Sequence, residues 1–307
     1  MSRRLAWSVV VLVVVTAGVL VTWPWTTSAS LSDKAPARTP VTTPPPSVAE
    51  LAEPSPPAPV VPPVPAQDLV TAIETTAAPG ITLGVAVMDL TTGELATGKN
   101  GEREFMAASL TKLLLAVDVL DRHRAEGRPL DPGDVDLITR SLAASDDNAM
   151  NVLWGQQDGA NGIERVAKRL GLSASIDADS ADQWGDTTLT ATDLATVYRH
   201  VLQGMAPEDA AVIVNALSAV TPAATDGFGQ HYGVLHQGAS PRHYAKQAWV
   251  EYAPAGYLLH SAGVTYDDRT GHAYAIALLS IQPHTGAQAA RDRLSATAAA
   301  ASARLAA

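Results

Sequence analysis

The sequence predicts an α+β domain: one antiparallel sheet built from both ends of the domain, with helices on its faces and a helical subdomain between. Two observations lead there. Val-rich, alternating runs lie close to each end of residues 67–307. Between them the chain carries helical periods punctuated by helix-stop residues. Strands at the two ends of a helical middle meet most simply in a single sheet. The roughly 240 residues concerned are enough for one sizeable core, and they contain no repeat of 20–50 residues.

Residues 1–30 read as a signal peptide or an N-terminal membrane anchor. Arg3 and Arg4 precede an uncharged run at 5–25, whose Val-rich centre at 9–21 is flanked by Trp7, Trp23 and Trp25. Its length falls between a secretory core and a spanning helix. The arginines favour a cytoplasmic N-terminus and the tryptophans suit an interface. Ser28, Ala29 and Ser30 offer a small-residue cleavage site, so both readings stand. In either case the remainder is expected to be exported. A lipid-bearing cysteine is excluded, because the chain has no Cys. Residues 31–66 are rich in Pro, Ser, Thr and Ala and read as an extended spacer.

The domain is expected at 67–307. A helix at 68–77 precedes a strand at 81–90. Thr92-Gly93 supplies the turn into a second strand at 95–99. Helices follow at 109–123, 134–141, 146–154 and 163–170, the last closed by Gly171. Two more fall at 192–203 and 208–218. Three strands at 244–252, 257–264 and 273–281 lead into an Ala-rich closing helix at 287–305.

The chemistry begins at Ser109. Lys112 stands three residues on, which places both side chains on one helix face within reach of each other. Serine alone is a weak nucleophile, and a close, partly desolvated amine can take its proton. Taken alone, the pair also reads as a helix cap followed by a solvated lysine. Two downstream elements alter the balance: Ser145-Asp146-Asp147 ahead of a helical run, and Lys246-Gln247-Ala248 within a strand. Ser-x-x-Lys, then Ser-Asp-Asn, then Lys-Thr-Gly is the order found in class A β-lactamases and penicillin-binding proteins.

The chain therefore resembles the class A β-lactamase-like serine hydrolases across about residues 67–307, including an Asp186-Thr187-Thr188 segment similar to the end of that family's Ω-loop. The resemblance implies Ser109 as acylated nucleophile and Lys112 as its base. Ser145 would relay the proton to the leaving nitrogen, and Lys246 would hold a substrate carboxylate. The oxyanion would meet the N–H groups of Ser109 and of Ala248. It implies no cofactor and no metal.

Three departures from the pattern bear on function. Asp147 stands where the family has an amide, and an ionised carboxylate only accepts hydrogen bonds. Ala248 replaces a glycine and adds a methyl group at the cleft. No Glu lies between Glu164 and Glu208, where class A enzymes place their deacylating carboxylate. Asp177, Asp179, Asp182 and Asp186 are the acids there. The expectation is an acyl-enzyme that forms and turns over slowly.

With a net charge of −10, the chain is not expected to bind nucleic acid. Its eight histidines show no His-x-x-x-His pair. The expected partners are a β-lactam or a peptidoglycan stem peptide, with the membrane met through the N-terminal segment, and the chain is read as a monomer. Two alternatives stay open: a cell-wall D,D-carboxypeptidase, and a catalytically impaired binding domain on the same scaffold.

Overall fold

Alternation along the sheet strands divides the domain into two cores. In β1 (Thr82–Asp89) the side chains of Val85 and Val87 face one way, and those of Ala86 and Met88 the other. A strand sends successive side chains to opposite faces. With both faces covered, the strand reads as a continuous apolar run. The computed structural model describes residues 61–252 and 256–307, which lie in one unit. The N-terminal segment expected at 1–30 and the spacer up to residue 60 lie outside the described residues.

The sheet has five strands. After β1 come β2 (Leu95–Thr97) and a two-residue strand, β3 (Phe105–Met106). Thr188–Leu189 forms β4, and the C-terminal part supplies β5 (His243–Tyr252), β6 (Gly256–Tyr266) and β7 (Ala273–Gln282). The main sheet runs β2-β1-β7-β6-β5, antiparallel throughout. The first strand of the domain thus pairs with the last, setting Val85 opposite Leu278. β5 is left as an edge strand.

One face packs on α1 (Ala66–Thr76) and α8 (Ala287–Ala306). The other carries α2 (Thr111–Ala125), α3 (Pro132–Ala143), α4 (Asp147–Gln156), α5 (Gly159–Leu170), α6 (Ala191–Arg199) and α7 (Pro207–Ser218). α2 is buried all round: Leu113, Leu114, Leu115, Ala116 and Val117 are each fully enclosed. Each buried Leu contributes about 1.5–3 kcal/mol of transfer free energy. The helix also buries Asp118, which Arg165 of α5 meets through two hydrogen bonds of 3.0 and 2.7 Å. The cost of burying that charge is offset by the paired geometry. Gly171 closes α5 at φ 67°, a left-handed conformation that only glycine adopts without strain.

Three expectations change. Packing begins before residue 67: Val64 and Ala66 are buried, and Tyr274 Oη donates to the Val64 carbonyl at 2.8 Å. The segment expected to be spacer therefore ends about three residues earlier. β3 and β4 pair with each other in a separate ribbon, which two-residue strands cannot announce by periodicity. The helix expected through residue 203 ends at Arg199 and continues as a π turn, His200–Gly204.

Candidate active site

The β3/β4 ribbon sets the position of Ser109. Met106 and Thr188 pair across it, and Ala107 N–H donates to Thr187 O at 2.6 Å. On the sheet side, His260 of β6 has both ring nitrogens committed: Nδ1 accepts from Ser280 N–H at 3.1 Å, and Nε2 donates to Met106 O at 2.9 Å. Burial pushes its pKa down to about 4, so the ring stays neutral. The chain then turns through Ala108 at φ 47° into a 3-10 turn, Ala108–Leu110, ahead of α2. A non-glycine residue held there costs on the order of 1–2 kcal/mol.

From α2, Lys112 reaches back along its own helix. Its Nζ lies 2.9 Å from Ser109 Oγ, 2.8 Å from Ser145 O, 3.1 Å from Ser145 Oγ and 2.6 Å from Asp147 Oδ1. An ammonium has three protons for these four oxygens. A neutral amine would instead accept the Ser109 hydroxyl proton. Burial lowers the Lys112 pKa, and the Asp147 carboxylate works against that shift. The Lys112 side chain is fully enclosed, whereas that of Asp147 is 61% exposed.

Ser145 sits in the turn before α4 at φ 50°, a second left-handed residue beside the same cavity. The turn aims both of its oxygens at Lys112. The next residue, Asp146, is the helix cap: Oδ1 accepts from Asn148 N–H at 2.9 Å and from Ala149 N–H at 3.1 Å. Burial opposes its charge, but the Arg140 guanidinium and these N–H groups outweigh that and hold its pKa below the usual carboxylate value. Of the triplet, Asp146 is thus turned to the helix while Ser145 and Asp147 face Lys112.

Lys246 of β5 approaches from the opposite wall. Its Nζ donates to Ser145 Oγ at 2.9 Å and to Gln247 O at 2.8 Å. Complete burial, and then the neighbouring Lys112 charge, drive its pKa well below 10.5. Ser145 Oγ therefore stands between two amines. Ser109, Ser145 and Asp147 line one end of a cavity of about 510 Å³, with both amines enclosed behind them, and its walls include Trp184, Trp249 and Tyr252.

Residues 65–132, which hold Ser109 and Lys112, match the profile of the β-lactamase enzyme family. Proteins of Mycobacterium tuberculosis and Mycobacterium bovis named "Putative lipoprotein LppW" are 34% identical over 223 residues, covering 71% of this chain and 69% of theirs. The chain belongs to one family with these LppW proteins, and its fold is β-lactamase-like. Solved structures agree in fold. A class A β-lactamase from Bacteroides cellulosilyticus superposes with a TM-score of 0.65 at 15% identity, over 78% of this chain and 98% of that one. PBP-A gives 0.62 at 17% identity, over 80% and 98%.

Within this β-lactamase-like chain the structure brings together Ser109, Lys112, Ser145, Asp147 and Lys246. Ala248 is the exception. It is buried, opposite His260 in the β5–β6 ladder, and the cavity wall passes to Trp249 instead. The Gln247 carbonyl receives Lys246 Nζ and so faces the cleft; the backbone groups of a strand repeat direction every second residue. The edge N–H aimed at the cavity is accordingly that of Trp249, one residue beyond the expected Ala248. Gln247 commits its amide to Gln230 O at 2.8 Å and Tyr232 O at 2.6 Å.

Two side chains that sequence reasoning passed over shape the cavity. Trp184, between the acidic residues of the loop, places its ring 4.8 Å from Lys112 Nζ and donates from Nε1 to Asn151 Oδ1 at 2.8 Å. Asp226 accepts from Trp249 Nε1 at 3.0 Å. Neither belongs to a short motif; a lone Trp in an acidic, Gly-containing loop was the only signal available. Of the four loop aspartates, only Asp186 lines the cavity, while Asp177 and Asp182 open onto a separate one beside Trp154 and Asp179 is exposed at the surface. Among the described residues no group of three or more His, Asp or Glu side chains is placed to hold a metal ion.

Proposed function

We propose that the protein is a serine acyl-transfer enzyme, acting on β-lactams or related cell-wall amides through an acyl-enzyme on Ser109 that is released slowly. The observation that carries this reading is the 2.9 Å contact of Ser109 Oγ with an enclosed Lys112 amine, continued through Ser145 Oγ to Lys246. In the reaction, neutral Lys112 takes the Ser109 proton while Oγ bonds to the carbonyl carbon. The oxygen gains charge beside the N–H groups of Ser109 and Trp249. The C–N bond then breaks, and the nitrogen leaves with a proton that Lys112 returns through Ser145.

Slow release follows from what stands over Lys112. Trp184 holds the hydrogen bond to Asn151 there, and an indole cannot activate water. Asp186 is the loop acid on the cavity wall, and its shorter side chain would be the residual base. The name lipoprotein, carried by the relatives, supports an exported protein held at the membrane. Since this chain has no Cys, the segment at 1–30 would provide that attachment. A second reading, a binding domain without turnover, is favoured by Asp147 at 2.6 Å from Lys112, because a carboxylate there stabilises the charged amine against the effect of burial. Intact mass after incubation with benzylpenicillin and with a neutral fluorophosphonate tests the choice. An adduct mapped to Ser109 is expected. Absence of both adducts in a folded protein would overturn the enzymatic reading in favour of the second.

A further inference from the structure

Among the described residues, every charged side chain on the wall of the cavity is a carboxylate: Asp147, Asp186, Asp226 and Glu251. Asp147 is compensated by Lys112. Asp226 accepts from Trp249 Nε1 and Phe228 N–H, both uncharged donors. Glu251 meets the ring of His284. The two lysines at the floor are fully enclosed, and their protons are directed to Ser109, Ser145, Asp147 and Gln247 O. Among the described residues no cationic side chain lines the wall to meet an incoming anion. Arg291 lies behind the ring of Phe228, 4.9 Å from its centroid, and is not part of the wall.

A second feature points the same way without reference to the acids. Gln247 follows Lys246 where the resemblance expects a hydroxyl, and its amide is bound to the backbone at Gln230 and Tyr232. The strand therefore presents neither a hydroxyl nor an amide donor from that side chain to a ligand carboxylate. The walls are instead aromatic, with Trp184, Trp249 and Tyr252 on the cavity. Aromatic faces attract cations and give an anion no matching partner.

We propose that the cleft takes an acyl donor bearing a positive charge, with no carboxylate beside its reacting carbonyl. This rests on the reading of Ser109 as nucleophile and ranks its acyl donors: amine- or guanidine-bearing compounds react ahead of anionic β-lactams such as benzylpenicillin, which become slow acylating agents. A cation meets the wall carboxylates of Asp186, Asp226 and Glu251 before any lysine, and charge complementarity in a cleft raises encounter rates. An anion must approach the same field and leave its hydration shell with no replacement.

Matched activated esters test this: the p-nitrophenyl esters of 4-guanidinobenzoic acid and of terephthalic acid, equal in shape and opposite in charge. In each, Ser109 Oγ bonds to the carbonyl carbon, its proton passes to neutral Lys112, and the C–O bond breaks to release p-nitrophenolate. Acylation is followed by intact mass and by nitrophenolate release. The cationic ester is expected to acylate at least about tenfold faster. Asp226→Asn and Glu251→Gln should each narrow that gap, as should about 0.5 M salt. An anionic ester that reacts as fast or faster, or a gap indifferent to both substitutions and to salt, overturns the proposal. If neither ester acylates the protein, it is the nucleophile reading that has failed. Charge selection is then read from binding alone, by titrating phenylguanidine or benzoate against the indole N–H resonances of Trp184 and Trp249. Tighter phenylguanidine binding upholds the proposal; equal or tighter benzoate, or no shift with either, overturns it.

Discussion

Asp147→Asn is the substitution that most directly probes how Lys112 works. The carboxylate lies 2.6 Å from an enclosed amine and stabilises its charged form. A general base must be neutral to accept the Ser109 proton, so acylation should rise with pH through the Lys112 pKa. Burial lowers that pKa from 10.5 and Asp147 raises it. Asp146 and Asp226 add to the raising side more weakly, while a charged Lys246 opposes it. Removing the Asp147 charge therefore moves the midpoint of the acylation profile to lower pH. At an effective dielectric near 20, charges 2.6 Å apart attract by about 6 kcal/mol. Asp147 is 61% exposed, however, and solvent screens most of that. A shift of about one pH unit, or about 1.4 kcal/mol, is the expected remainder. Below both midpoints the variant should acylate about tenfold faster than the parent. Asn retains an oxygen toward Lys112, so the geometry is kept; loss of a first-turn acid from α4 should cost only about 0.5 kcal/mol. The assay is the rate of Ser109 acylation between pH 6 and 10 with a neutral fluorophosphonate, on protein of confirmed thermal stability. An unchanged midpoint, or one moved upward, would refute the argument that Asp147 sets the charge of Lys112.

Ser109→Ala should remove every covalent adduct while leaving Tm within a few degrees; a penicillin or phosphonate mass on the variant would mean that another residue is the nucleophile. Trp184→Glu places a carboxylate beside Asn151 and over Lys112, and should shorten the acyl-enzyme lifetime on the order of 10²-fold, read from adduct decay by mass spectrometry. An unaltered lifetime would show that the loop geometry, rather than the missing acid, limits release. A chain beginning at Val61 should be as stable as the full protein. One beginning at Gln67 should lose about 2 kcal/mol, from the buried Val64 side chain and the Tyr274 hydrogen bond. Equal denaturation midpoints for the two would show that this contact contributes nothing.

Much of the molecule was readable before folding because its signals are local. The Val85-to-Met88 alternation, the Thr92-Gly93 turn and the Gly171 stop each lie within one element, and the structure contains all three. The Ser109–Lys112 contact is likewise local, since one helical turn is enough to join them. Ser145 and Lys246 were legible only through the order of three short motifs. The meeting of Ser145 with Lys112, and of Lys246 with Ser145, depends on a turn at φ 50° and on an edge strand more than 100 residues beyond α2 in sequence.

The amino-acid sequence determined which residue types were available: one serine spaced to a lysine, an acid at 147, no Glu in the loop and no Cys anywhere. Tertiary structure decided what those residues face. The one-residue step from Ala248 to Trp249 follows from strand register, because backbone groups reverse direction at each residue. Trp184 comes to lie over Lys112, and Asp226 beside Trp249, through loop closures that leave no periodic trace. The charge of the cavity is likewise a property of packing. The chain carries 21 Lys and Arg residues, yet folding encloses the two lysines at the cavity floor and, among the described residues, leaves only carboxylates charged along its wall. Sequence spacing reports neighbours along an element, whereas burial and field direction arise only once separate elements share a core.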